Sequence, residues 1–142
     1  MAEKVYDFLE IEHKWADAWE ASGDALYSAE ENSAKPKYYV LEMLPYPSGA
    51  LHIGHIKNYA IGDALARYMW MRGFNVLHPM GWDAFGLPAE NAAIANQRPP
   101  REWTLNNIAK MKRTYRRFAF SFDWTREVTT CEPCLLYTSR CV

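Results

Sequence analysis

The chain has 142 residues, room for one small domain. Apolar residues make up 49% and charged residues 23%, a balance that allows a buried core and excludes global disorder. The formal net charge is −1, and no stretch nears the roughly 18 consecutive apolar residues of a transmembrane helix, so no membrane partner is expected.

Residues 6–22 predict an amphipathic helix, with Phe8, Ile11, Trp15, Ala18 and Trp19 at helical spacing and Gly23 as the C-terminal stop. Trp15 and Trp19 are expected in the core. Residues 28–36 are polar, end in Pro36 and read as a loop. Lys37–Leu44 carries little charge and predicts a short strand buried on both faces of a parallel sheet. Pro45-Tyr46-Pro47-Ser48-Gly49 must break it. A helix follows from near Gly54 to Arg72, with Ile56, Tyr59, Ala60, Leu65, Tyr68 and Met69 as its apolar side and Gly73 as its end. Phe74–His78 predicts a second strand, stopped by Pro79. Strand, loop, helix, strand is a βαβ unit, whose crossover makes the strands parallel. Ligands of open α/β sheets sit beyond the carboxyl ends of the strands, which singles out loops 45–55 and 79–91. A further helix is expected over about 100–118, opened by Pro99-Pro100. Phe118, Phe120, Phe122 and Trp124 then alternate, the pattern of a packed strand or turn.

Charge is divided along the chain. Residues 1–34 hold nine acids against two bases, a net of −7, and residues 98–126 hold eight bases against two acids, a net of +6. The two ends therefore meet different surroundings or each other. The basic stretch Lys110, Lys112, Arg113, Arg116 and Arg117 reads as a solvated helix face rather than a phosphate-binding one. The start, Met1–Asp7, lacks the basic and apolar regions of a signal peptide, so the expected compartment is the cytoplasm. Cys131, Cys134 and Cys141 form an odd, clustered set, which is not a secreted disulfide framework.

The chemistry centres on His52-Ile53-Gly54-His55. Histidines three apart at a helix start project from one face. The first helical turn has unpaired N–H groups and a partial positive charge, an anion site to which two imidazoles add directed donors. Gly54 leaves the backbone open to a flat group, and Ser48-Gly49 gives the loop room to turn. The same pair also reads as metal ligands, although no nearby carboxylate or thiol completes a set, or as an ordinary surface pair. Asp83, just past the second strand, can pair with an ammonium group or cap a helix opened by Gly86-Leu87-Pro88-Ala89-Glu90-Asn91.

Pro45-Tyr46-Pro47-Ser48-Gly49-Ala50-Leu51-His52-Ile53-Gly54-His55 resembles the HIGH signature of the class I aminoacyl-tRNA synthetases. Lys57-Asn58-Tyr59, Gly62-Asp63, Ala66-Arg67-Tyr68 and the run Asn75–Ala93 around Gly81-Trp82-Asp83-Ala84-Phe85-Gly86-Leu87-Pro88-Ala89-Glu90 resemble its leucyl branch in bacterial or organellar form. The resemblance covers about residues 5–133. It implies an α/β fold: the first half of a Rossmann-like nucleotide-binding domain over 36–133, preceded by a helical segment over 1–35. It implies ATP-dependent activation of leucine to leucyl-adenylate, then transfer to tRNA(Leu), with Mg2+ accompanying the ATP. By position in the motif, His52 and His55 become the catalytic pair. Pro45, Ser48, Gly49, His52, Gly54 and His55 become the ATP-binding set, and Met43, Tyr46 and Asp83 the leucine-binding set. No metal ligand is assigned.

The family's Lys-Met-Ser-Lys-Ser signature, editing insertion, zinc module and anticodon-binding helices are not in this sequence, so an amino-terminal piece that is inactive alone is expected. Residues 134–139, Cys-Leu-Leu-Tyr-Thr-Ser, match a translated transposase-end sequencing adapter, so 134–142 are read as non-native and a zinc site at Cys131 and Cys134 is discounted. Two competing classes remain: another His-x-Gly-His nucleotidyltransferase, which would lack the Gly-Trp-Asp-Ala-Phe-Gly run, and a non-catalytic RNA-binding or interaction module, which would not need paired histidines.

Overall fold

The computed structural model describes residues 6–133 and 135. In chain order its elements are α1 (Phe8–Ala21), β1 (Lys37–Tyr39), α2 (Ile53–Met71), β2 (Asn75–Leu77), β3 (Pro79–Trp82), α3 (Leu87–Ala95), α4 (Pro100–Arg117) and β4 (Asp123–Thr129). Local chemistry sets the helix ends. Asp7 caps α1 by accepting the Glu10 N–H at 3.1 Å. Gly23 and Gly73 follow α1 and α2 at φ +81° and +86°, the left-handed backbone that glycine adopts without a Cβ penalty.

β1 and β2 pair in parallel, with Lys37 opposite Asn75 and Tyr39 opposite Leu77, joined through α2 as a βαβ unit. The extended path does not stop at Pro79. A proline is tolerated as the first residue of a strand, and β3 begins there, pairing in parallel with β4. The backbone shows how one run serves two partners. Leu77 O accepts from Val40 at 2.9 Å, whereas His78 O accepts from Asp123 at 2.8 Å. Successive carbonyls leave a strand on opposite sides, so residues 75–82 are a central rail, with β1 on one edge and β4 on the other.

Two apolar clusters flank this rail. Tyr59, Met80, Trp82, Ile108, Met111, Tyr115, Phe120 and Phe122 form the larger, and Val40, Ala66 and Val76 the smaller. α4 buries Thr104, Asn107, Ile108, Met111 and Tyr115, one stripe at helical spacing. The acid-rich and base-rich ends of the chain meet: Arg116 pairs with Glu20 at 3.3 Å and Asp24 at 2.5 Å, and Arg126 with Glu31 at 3.7 Å. Lys112 pairs with Glu127, and Arg117 lies 2.9 Å from His13, so the basic stretch is only partly a solvated face.

Several expectations are corrected. α1 buries no residue; Trp15 is 49% and Trp19 38% exposed. Helical period identifies an apolar face, and here that face lines an open groove with Arg117, Phe118 and Ala119. The strand expected over 37–44 is regular only to Tyr39, and it is not buried on both faces. Val40 is buried, while Tyr39, Leu41 and Met43 are 58–67% exposed, because the smaller cluster covers one side alone. On α2 the buried residues are Tyr59, Gly62 and Ala66, while Leu65 and Tyr68 are exposed, since small residues let the helix approach the strands. Most of the loop expected over 79–91 is β3 and α3, leaving 83–86 as the connection. The reading of 134–142 lies outside the described residues, Leu135 excepted.

Candidate active site

α2 starts with a reciprocal cap made by the two motif histidines. His52 Nδ1 accepts the Gly54 N–H at 3.2 Å, and His55 Nδ1 accepts the His52 N–H at 3.3 Å. The ring centroids are 4.0 Å apart. An Nδ1 used as an acceptor carries no proton, so each neutral ring holds its proton on Nε2. Neither Nε2 has a partner among the described residues. The Gly54 N–H is taken by this cap and the His55 N–H by His52 O at 2.9 Å. The free donors of this helix end are therefore chiefly imidazole N–H groups, not the run of amides that a bare helix terminus offers. A Cβ on Gly54 would sit 3.0 Å from His52 Cε1 and Nδ1. Glycine lets the ring fold back without crowding, and that ring takes part of the space expected to stay open for a flat ligand. Burial, aided by the neighbouring His52, lowers the His55 pKa below the ordinary histidine value, which keeps the ring neutral at pH 7.

The segment before this helix is held from behind. Pro45 and Pro47 are fully buried, while Met43 is 67% and Tyr46 50% exposed. Asn107 Nδ2 donates to Pro47 O at 3.1 Å, Trp103 Nε1 to Ser48 O at 3.3 Å and the Tyr59 hydroxyl to Met43 O at 2.6 Å. The second loop is tied to the first: the Asp83 N–H donates to Pro45 O at 3.0 Å. The next amide, Ala84 N–H, donates to Thr130 Oγ1 at 2.8 Å. Asp83 is thus fixed through its backbone on both sides, and its carboxylate has no partner among the described residues. α3 is capped at Gly86, so Asp83 is not its N-cap. The structure brings the Met43–Gly49 segment and Asp83 together at the carboxyl ends of β1 and β3, with His52 and His55 on the helix that follows the first.

Sequence reasoning missed the supports. Besides Asn107 and Trp103, there is a buried pair behind the first loop. His78, 1% exposed, donates from Nδ1 to Ser121 O at 3.1 Å and places Nε2 2.9 and 3.0 Å from the Glu42 carboxylate oxygens. A Cβ on Gly62 would lie 1.6 Å from Glu42 Oε1, so the glycine of α2 makes the carboxylate's space. The signal was present: Glu42 is the one acid in the run 37–44, and His78 ends the run 74–78 at the residue before Pro79. Among the described residues no group of three or more His, Cys, Asp or Glu could hold a metal ion.

Comparison with known proteins identifies the family and the fold. The family model described as tRNA synthetases class I (M) matches residues 38–132. A leucine–tRNA ligase of Solibacter usitatus is 76% identical over 133 residues, covering 94% of this chain and 16% of its own length. A leucine–tRNA ligase of Rickettsia typhi is 60% identical, covering 87% of this chain and 15% of its own. The chain thus spans about a sixth of the curated relatives it matches. Among solved structures, a LeuRS–tRNA–LeuAMS ternary complex from Agrobacterium radiobacter K84 superposes with a TM-score of 0.85 at 44% identity, over 92% of this chain and 16% of that one. Mycobacterium tuberculosis methionyl-tRNA synthetase bound to methionyl-adenylate gives 0.66 at 30% identity, over 70% and 19%.

Proposed function

Since this chain belongs to the class I tRNA synthetases, we propose that it forms the amino-terminal, substrate-binding part of a leucine–tRNA ligase. The reaction is activation of leucine with ATP, then transfer to tRNA(Leu). The observation that carries this reading is the reciprocal cap of His52 and His55, which commits both Nδ1 atoms to the backbone and leaves both Nε2–H groups as donors.

A leucine carboxylate oxygen forms the bond to the α-phosphorus, the bond from that phosphorus to the bridging oxygen breaks, and pyrophosphate leaves. The substrate is the nucleophile, so the protein supplies positioning and charge stabilisation. His52 and His55 donate from Nε2 to phosphate oxygens as negative charge builds there. Ser48, Gly49 and Gly54 bound the nucleotide, whereas Pro45, fully buried, serves from behind through its carbonyl, which accepts the Asp83 N–H. The Asp83 carboxylate takes the leucine ammonium, and Met43 and Tyr46, both half exposed or more, border the amino acid. Mg2+ would accompany the ATP phosphates. The tRNA is a partner through the rest of the enzyme. No described helix is long and apolar enough to cross a membrane.

The test is amino-acid-dependent ATP–pyrophosphate exchange by the longer synthetase that contains this segment. Exchange driven by leucine is expected. Exchange driven by methionine instead, or none with intact protein, overturns the reading.

A further inference from the structure

The Glu42–His78 pair stands outside every role assigned above, yet it sits one residue from the proposed leucine site. Glu42 immediately precedes Met43, and His78 lies at the junction of β2 and β3, the central rail whose far end carries Asp83. From this placement we infer that the pair is a positioning device: His78 sets where Met43–Pro45 lies relative to Asp83 and so tunes leucine binding. The inference rests on the function proposed above and deepens it.

The argument is one of constraint. β1 loses its ladder after Val40, whose N–H donates to Leu77 O, so from Leu41 onward strand pairing does not hold the chain. Two side-chain contacts and one backbone bond replace it. The Glu42 carboxylate is gripped by His78 Nε2 at 2.9 and 3.0 Å, Met43 O accepts the Tyr59 hydroxyl, and Pro45 O accepts the Asp83 N–H. His78 is itself fixed, because its Nδ1 must donate to Ser121 O. Ser121 in turn is held through its N–H and hydroxyl by Asp63 of α2, each close to 2.5 Å. The Glu42 side chain is 9% exposed and fits only because residue 62 is glycine. A carboxylate buried this deeply needs its partner, and a cut link would leave it free to move and to drag Met43 with it.

His78→Asn and His78→Gln separate positioning from bulk stability. Asparagine places its amide near the Nδ1 position, keeping the Ser121 bond but falling short of Glu42. Glutamine reaches the Nε2 position and keeps the Glu42 bond. Both variants are assayed in the longer synthetase by leucine-dependent ATP–pyrophosphate exchange, with circular dichroism confirming the fold. His78→Asn is expected to raise KM for leucine about 10-fold or more, with KM for ATP within about 3-fold of wild type. His78→Gln is expected to stay within about 3-fold on both. The inference is overturned if the two variants behave alike, or if the leucine and ATP constants rise together. Should His78→Asn not fold, Glu42→Gln decides: its amide still reaches Nε2, and a leucine KM more than about 3-fold above wild type overturns the inference. Absence of leucine-dependent exchange in the wild type fails the proposed function itself, a result distinct from any difference between variants.

Discussion

The imidazole of His55 accepts the backbone N–H of His52 at 3.3 Å while His52 accepts that of Gly54 at 3.2 Å, so the two motif histidines build the start of their own helix. The two nitrogens of each ring are divided: Nδ1 caps, and Nε2 has no partner among the described residues.

That division can be separated at His52. Asparagine is a good N-cap but has no donor at the Nε2 position, whereas alanine has neither group. His52→Ala should lower stability by about 1 kcal/mol and cut exchange by roughly 10²–10³-fold. His52→Asn should leave thermal unfolding near wild type yet lose exchange to a similar degree. Equal melting losses in both variants would show that the cap is not what His52 Nδ1 provides.

His55 should couple nucleotide binding to protons. Burial and His52 hold its pKa below the usual value, so the free ring is neutral near pH 7. Phosphates placed at Nε2 favour the imidazolium, whose added proton sits on Nδ1 and displaces the His52 N–H from it, so ATP binding should take up a fraction of a proton as that cap is given up, more at pH 6 than at pH 8. Calorimetry in buffers of different ionisation enthalpy measures the uptake. His55→Gln keeps an N–H donor without a titrating group and should abolish it.

Asp83 is held by its own N–H to Pro45 O and by the adjacent Ala84 N–H to Thr130 Oγ1, so its side chain can change without unfolding the loop. Asp83→Asn should raise KM for leucine by about 100-fold or more, since an ammonium loses its counter-charge, with ATP affinity changed little. An effect confined to ATP would remove Asp83 from the amino-acid site.

How far the sequence could be read depended on how local each cause was. Helix ends were legible because Gly23, Gly73 and Pro99-Pro100 act within their own turns. The β1–α2–β2 unit was legible because its pairing is forced by one short crossover. β3 was not, since Pro79 reads locally as a stop and its partner β4 lies some forty residues on. The exposure of Trp15 and Trp19 was hidden for a related reason: the period of α1 names its apolar face but not what lies against that face. At the site, the histidine spacing and the resemblance marked the residues to which the proposed function assigns ligand contacts. The Asn107 and Trp103 bonds to Pro47 and Ser48 span 60 and 55 residues, and no local pattern announces them.

Gly62 offers a test with an unusual sign. Replacing a mid-helix glycine by alanine ordinarily gains up to about 1 kcal/mol. Here the new Cβ would fall 1.6 Å from Glu42 Oε1 and 2.4 Å from Cδ, so Gly62→Ala should instead cost about 1–3 kcal/mol. In a Glu42→Ala background the clash is gone, and the same change should regain the ordinary helix benefit. Chemical denaturation of the four proteins gives the coupling directly. Additive effects would mean that Gly62 and Glu42 do not meet.

Asp123 governs the acid limit. Its carboxylate is fully buried, and burial alone would raise its pKa. The Thr125 hydroxyl, the Ala29 N–H and Arg126 donate to it and outweigh that effect, so the pKa is lowered. A carboxylate depressed on folding contributes stability that is complete above the unfolded value, near pH 4, and is lost as pH falls through the lower folded value. Asp123→Asn should therefore cost about 1–3 kcal/mol at pH 7, with the gap to wild type narrowing as pH falls below about 4. The bond from Ala29 also ties the 28–36 loop to the start of β4, so the variant should show faster amide exchange at Ala29 before global unfolding. Melting curves that stay parallel from pH 7 to pH 2 would show that Asp123 is not ionised in the folded chain.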